Sequence, residues 1–305
     1  MRATVVALAL LAGCAHLEGF ELPARAERSQ AMTDDGVALS LVRYRPAGRP
    51  TGRPVLLCHG IGANGRNLDL DERTSLARWF AAQGREAWTL SLRGTGDSAA
   101  PTTPIFFDDY WDRDLPAAIA HVRRISGAEA VDFVGHSMGG MAMYAYLAQG
   151  GQGVAAAATL GSPTRFDFGG ALEGLIRDVG GAFMVPGSSV PTPLLSNLLA
   201  PLEWGWDDSP MERFFYVPGN TSARTFNQLL VYGTAPIAGG TARQLGALFT
   251  TGRFTSKDGA IDLRANMARI TTPVLVVAAR LDRIGVAPAV KDGYRALGGP
   301  KEWLL

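Results

Sequence analysis

From Pro54 to Gly161 the chain alternates short, nearly continuous apolar runs with longer stretches whose apolar residues recur every three or four positions. A run such as PVLLCHG leaves no polar face, so it suits a strand covered on both sides in a parallel sheet. Between them, SLARWFAAQG (Ser75 to Gly84) and DDYWDRDLPAAIAHVRRISG have helical spacing and a glycine stop. EAWTLSLRGTGDS reads as a strand entering a Gly-rich loop, VDFVGHSMGGMAMYAYLAQGG as strand, tight turn and helix, and VAAAATLGSP (Val154 to Pro163) as the next strand. Ahead of these, AMTDDGVALSLVRYRP predicts a hairpin with Asp35-Gly36 at its turn. The alternation predicts an α/β fold: a mostly parallel central sheet, right-handed crossovers and flanking helices.

The pattern breaks over Thr164 to Asn266, which is rich in Gly, Pro and aromatics and contains no clear βαβ unit. It resumes at ITTPVLVVAARLD, followed by a helix (Val286 to Leu297) and the start of a strand, KEWLL. The expected division is a core of 31–161 and 270–305 with an insertion at 162–269. The N-terminus, MRATVVALALLAGC, has a positive start, a short apolar run and small residues before Cys14, the layout of a secretory signal over 1–13. Leu-Ala-Gly-Cys also resembles the bacterial lipobox, which implies lipid on Cys14, a tether over 14–30 and anchoring in the cell envelope. That apolar run is shorter than the ~20 residues a bilayer span needs. The other cysteine, Cys58, ends an apolar strand and reads as a buried thiol.

Composition works by exclusion. At 305 residues and 47% hydrophobic, the chain can bury a large core, and a net charge of +1 leaves no electrostatic footprint for nucleic acid. The four histidines lack metal-ligand spacing, and RGTGDS lacks the lysine of a phosphate loop, so no cofactor or metal is expected.

The candidate chemistry sits in Gly135-His136-Ser137-Met138-Gly139, a G-x-S-x-G pentapeptide at a strand–turn–helix junction. Ser137 there needs a strained backbone to lift its Oγ clear of the sheet, and the flanking glycines remove side chains that would collide. The helix that follows points free N–H groups at the reacting centre. His59-Gly60-Ile61-Gly62 closes an earlier strand, and the Ile61 and Met138 N–H groups are the natural oxyanion pair. His59 itself reads as a loop-holding residue.

In these pieces, PVLLCHGIGAN, LSLRGTGDS, DLPAAIAHV, VDFVGHSMGG and TTPVLVVAARLD, the chain resembles the α/β-hydrolase superfamily, and within it the bacterial relatives of acid lipases. The resemblance runs from about Ala38 to the end and is weak through Thr164 to Asn266. It implies an acyl-enzyme on Ser137, cleavage of carboxylic esters or lipids, and a triad in chain order Ser, acid, His. Asp282, directly after PVLVVAAR, fits the acid, with Asp167 as the fallback. It also implies a cap over 162–269, where Trp204, Trp206, Phe214, Phe215 and Tyr216 either enclose an acyl chain or form the cap's own core. None of His16, His59, His121 and His136 occupies the family's position for the base, which follows the last strand. The expectation is therefore a chain cut short before its catalytic histidine. The alternatives are an acyltransferase of the same fold and a non-catalytic lipoprotein that uses it as a binding module.

Overall fold

A computed structural model describes residues 21–165, 187–194, 196, 197, 217 and 219–305. The proposed signal, Cys14, Asp167 and the five aromatics of the insertion lie outside the described residues. The core is an eight-stranded sheet built from β1 (Ala26–Met32), β2 (Ala38–Tyr44), β3 (Val55–Cys58), β4 (Ala87–Leu90), β5 (Val131–His136) and β6 (Val154–Leu160), with two later strands. After a small ribbon of β7 (Ser189–Val190) and β8 (Ile237–Ala238) come β9 (Val274–Val277) and β10 (Lys301–Leu304). Their order across the large sheet is β1-β2-β4-β3-β5-β6-β9-β10. β1 and β2 run antiparallel to their neighbours, and every pairing from β4 to β10 is parallel.

The predicted hairpin forms with Met32 opposite Ala38, and Gly36 takes a left-handed φ of 81°. β1 starts at Ala26, so the first strand reaches into the stretch expected to be tether. The tether boundary at residue 30 was drawn from polarity, and β1 is polar because it is the exposed edge of the sheet.

Alternation along each strand divides the core in two. Leu56, Cys58, Val131 and Phe133 face the larger layer, beneath the helices Leu115–Ser126 and Met138–Ala148. Val55, Leu57 and Val134 face the smaller one, under the helix Leu76–Ala82, whose Ser75 Oγ caps the N–H of Arg78 at 2.9 Å. Met138–Ala148 is buried at ten of its eleven positions, which explains why its sequence shows no polar face. The helix ahead of it opens with a π-turn at Tyr110–Asp114 before Leu115–Ser126. Pro116 lacks the N–H that would continue a regular α-ladder through that turn.

β6 and β9 are neighbours in the sheet, so the whole segment between them leaves and returns at one place. Its described parts include the helices Ala223–Gln228 and Gly239–Thr251, with a second π-turn at Leu229–Gly233. Among the described residues, no helix is long and apolar enough to cross a membrane.

Met141 is 1% exposed on the fully packed helix. Met141→Ala is expected to cost about 2–5 kcal/mol, read as a lower urea midpoint with an unchanged transition slope.

Candidate active site

The strand–helix turn at Ser137 is built by close approach. Ser137 has φ 49° and ψ −118°, and it is the one non-glycine residue with positive φ among those described. Such a conformation costs about 1–3 kcal/mol and persists only where its surroundings over-determine it. They do so here. A Cβ at Gly135 would lie 2.5 Å from the Gly140 nitrogen, and one at Gly139 would lie 2.6 Å from the His59 carbonyl oxygen. At Gly140 it would meet Ser162 Oγ at 2.1 Å. Backbone bonds pin the turn: Ser137 N–H donates to Leu160 O at 2.8 Å, and Ser137 O accepts from Gly140 and Met141 at 3.0 and 3.1 Å.

The loop after β3 lies directly against this serine. A Cβ at Gly60 would be 3.1 Å from both Ser137 Cβ and His136 Nδ1. Ile61 is 40% exposed, and neither its N–H nor that of Met138 is used by the surrounding backbone pairs. Two braces hold the loop. On one side His59, fully buried, donates from Nδ1 to Gly60 O at 2.8 Å while its Nε2 accepts from Leu92 N–H at 3.1 Å. Those roles make it a neutral imidazole. Burial and the nearby His136 push it down to about 4, against the hydrogen bond to Gly60. On the other side Ala235 N–H donates to Gly62 O at 2.8 Å, Asn64 N–H to Gly233 O at 3.1 Å, and Asn64 Nδ2 to the carbonyls of Tyr232 and Thr234 at 3.0 and 2.9 Å.

Asp282 follows β9 and reaches the same end of the sheet. Its Oδ1 accepts from the Ile284 and Gly285 N–H groups, both at 2.8 Å. Its Oδ2 lies 3.2 Å from where a Cβ would stand on either Gly161 or Gly285, so two glycines open its seat. No protein donor is bonded to Oδ2 among the described residues. His136 feels this carboxylate: crowding of the ring lowers its pKa below the usual imidazole range while the Asp282 charge pulls it upward. The residue as a whole is exposed. Ser137, His136, Ile61, Met138 and Asp282 are therefore brought together, and His59 holds the loop beneath them. His121 sits elsewhere, bonded to Ser29 Oγ at 2.7 Å and to Arg124 at 3.0 Å. Cys58 is buried and unpaired, and burial raises its thiol.

One supporting element was not foreseen from sequence. Arg93, 2% exposed, holds Asp114 through Nε at 2.7 Å and through its own N–H at 2.9 Å, and grips Asp35 at 2.8 and 3.1 Å. This ties the first hairpin and the π-turn to the loop that supplies Leu92 to His59. Burial pushes the Asp114 carboxyl upward while Arg93 pulls against it, and the same guanidinium holds Asp35 well below the usual carboxylate range. An arginine directly after a strand was the available signal; its partners are too distant in sequence to identify by spacing.

Residues 53–182 match the family model described as alpha/beta hydrolase fold. The lipase lipl-1 of Caenorhabditis elegans is 30% identical over 134 residues, covering 38% of this chain and 33% of the lipase. The poly(3-hydroxyalkanoate) polymerase subunit PhaC of Cupriavidus necator is 30% identical over 142 residues, covering 44% of this chain and 24% of the polymerase. The chain thus spans about a third or less of the length of the curated relatives it matches. Among solved structures, an esterase from Exiguobacterium antarcticum superposes with a TM-score of 0.60 at 16% identity, covering 91% of this chain and 90% of the esterase. Sheet order, elbow and family match together give the chain the α/β-hydrolase fold. Its curated relatives above the level of fold include lipases.

Two measurements follow. The folded state keeps His59 neutral down to about 4, whereas the unfolded chain takes up a proton near pH 6.5. Stability should therefore fall as pH drops from 6.5 to 4, by up to about 3 kcal/mol from this residue, and His59→Gln should flatten that part of the urea-midpoint profile. Arg93→Leu strands a buried carboxylate and should cost about 3–5 kcal/mol, read as a lower urea midpoint.

Proposed function

We propose that this protein is a serine hydrolase of carboxylic esters, lipase- or esterase-like, working through an acyl-enzyme on Ser137. The observation that carries the reading is the Ser137 backbone at φ 49° and ψ −118°, held against the Gly60 loop by glycines with no room for a side chain. Strain of that kind clusters where a side chain must be presented to a reacting group. The Oγ attacks the ester carbonyl, and the developing oxyanion is received by the Ile61 and Met138 N–H groups. One such donor is worth roughly 3–4 kcal/mol of transition-state stabilisation.

Asp282 takes the role of triad acid. With Oδ1 anchored by two N–H groups and Oδ2 free, it can orient an imidazole and stabilise the imidazolium. The base in this proposal is a histidine carried beyond β10, because each described histidine has a poor claim. His59 spends both ring nitrogens on the loop, His121 is bonded on the far helix, and His136 belongs to the strand that delivers the serine. Lipid on Cys14 would hold the enzyme at the cell envelope beside acyl substrates. The likeness to a polyhydroxyalkanoate polymerase subunit favours a second reading, in which the acyl group passes to an alcohol or thiol rather than to water.

The test uses the full-length gene product. A fluorophosphonate should label Ser137, and Ser137→Ala should lower p-nitrophenyl butyrate hydrolysis by at least roughly 10³-fold. Unlabelled protein with unchanged hydrolysis in the variant overturns the proposal. Acceleration by added alcohol, with ester product formed, selects acyl transfer.

A further inference from the structure

Ile61 stands between two glycines, Gly60 and Gly62, so the peptide that carries its N–H is free to turn unless something outside the loop holds it. On the core side the hold is direct. The Gly60–Ile61 peptide is trans, so the Ile61 N–H points away from the Gly60 carbonyl, and His59 Nδ1 grips that carbonyl at 2.8 Å. On the other side Gly62, at a left-handed φ of 66°, has its carbonyl taken by Ala235 N–H at 2.8 Å. A Cβ on Gly62 would stand 3.3 Å from Ile237 Cδ1, so the segment joining β6 to β9 rests on the loop itself.

Asn64 completes this second hold. It is 5% exposed, and its side chain works in two directions at once. Oδ1 accepts from Arg66 N–H at 2.9 Å, which makes Asn64 the N-cap of the 3₁₀ turn Gly65–Leu68 in the core. Its backbone N–H donates to Gly233 O at 3.1 Å, and Nδ2 donates to Tyr232 O and Thr234 O at 3.0 and 2.9 Å. Those are three consecutive carbonyls at the end of the π-turn Leu229–Gly233, where helical geometry leaves carbonyls without a partner of their own. One residue thus opens a turn of the core and closes a turn of the inserted segment. A cap on Gly65–Leu68 alone would be served as well by Ser or Asp. An amide adds two donors to that acceptor, and both donors are spent on the inserted segment.

We propose that Asn64 is a positioning residue for the oxyanion hole: by docking the stretch from Leu229 to Ala235 on the loop it fixes the Ile61 N–H, which couples catalysis to the seating of that stretch. The inference rests on the ester-hydrolase reading. When the stretch lifts, the four hydrogen bonds that join Gly62 and Asn64 to it are lost together. The Ile61 peptide is then held by His59 alone, with an unrestrained glycine on its far side.

Asn64→Asp tests this, because it keeps the shape of the side chain and the cap on Arg66 N–H while turning a carboxylate oxygen toward the three carbonyls. The full-length gene product is assayed on p-nitrophenyl butyrate, and end-point labelling of Ser137 by a fluorophosphonate counts the folded sites. In the variant kcat per labelled site should fall about 10- to 100-fold while KM moves less than about twofold. The rate of labelling should slow in step with kcat, since the phosphonyl oxygen uses the same N–H donors. Should Asn64→Asp fail to fold, Asn64→Ser keeps the capping acceptor, removes the donors without adding charge, and is read in the same way. A residue that only supports the fold would lower Tm and the number of labelled sites and leave kcat per labelled site at the parent value; that result overturns the proposal, as does a rise in KM at constant kcat. A parent that neither labels nor hydrolyses overturns the hydrolase reading and this inference with it, whereas an active parent matched per site by its variant removes this inference alone.

Discussion

The approach of the helix Met138–Ala148 to the end of β3 is the constraint on which the rest of the molecule is arranged. At Gly139 the helix backbone comes so near the carbonyls of Cys58 and His59 that no β-carbon fits. That contact sets the angle at which β5 turns into the helix, and the angle forces Ser137 into its left-handed backbone. It also brings the first helical N–H groups beside the loop from Gly60. Strand, turn and loop are therefore one unit, and moving any of them shifts both the serine and the Ile61 and Met138 N–H groups.

The surrounding structure supports that unit from two sides. Behind it, the neutral imidazole of His59 ties Gly60 to Leu92, and the buried Arg93 ties the same stretch to the first hairpin and to the π-turn before Leu115. In front, Gly62 to Asn64 pair with Gly233 to Ala235, which come from the segment inserted between β6 and β9. The loop from Gly60 is thus shared between the core and the segment that joins β6 to β9. A side chain that touches neither Ser137 nor the substrate can still decide where the Ile61 N–H points.

Much of this was legible from residue order because it is local. Apolar runs of a few residues ended by glycine could be read as buried strands, the elbow is contiguous, and the place of Asp282 just after a strand is visible in the residue order. The helix from Ala287 to Ala296 lies within the span expected from its periodicity. What stayed hidden depends on distance along the chain. Asn64 meets Tyr232 and Thr234 across more than 160 positions, and Arg93 reaches back to Asp35 and forward to Asp114. The π-turn at Tyr110–Asp114 was also missed, although Pro116 signals it, because helical spacing alone does not separate a five-residue from a four-residue repeat. The edge strand β1 read as tether because a strand with one exposed side and no outer partner can afford polar residues.

The three glycines at the elbow carry a consequence for how such a protein changes over generations. Gly135, Gly139 and Gly140 each face an atom less than 2.7 Å from where a side chain would begin, and the three obstacles belong to different elements. At Gly135 and Gly139 the obstacle is backbone, which no substitution elsewhere removes, whereas at Gly140 it is the Ser162 side chain. The segments lying over the elbow, joined mainly by backbone hydrogen bonds that any residue can make, remain open to drift. Change is therefore costly at the elbow and cheap in the segments paired over it.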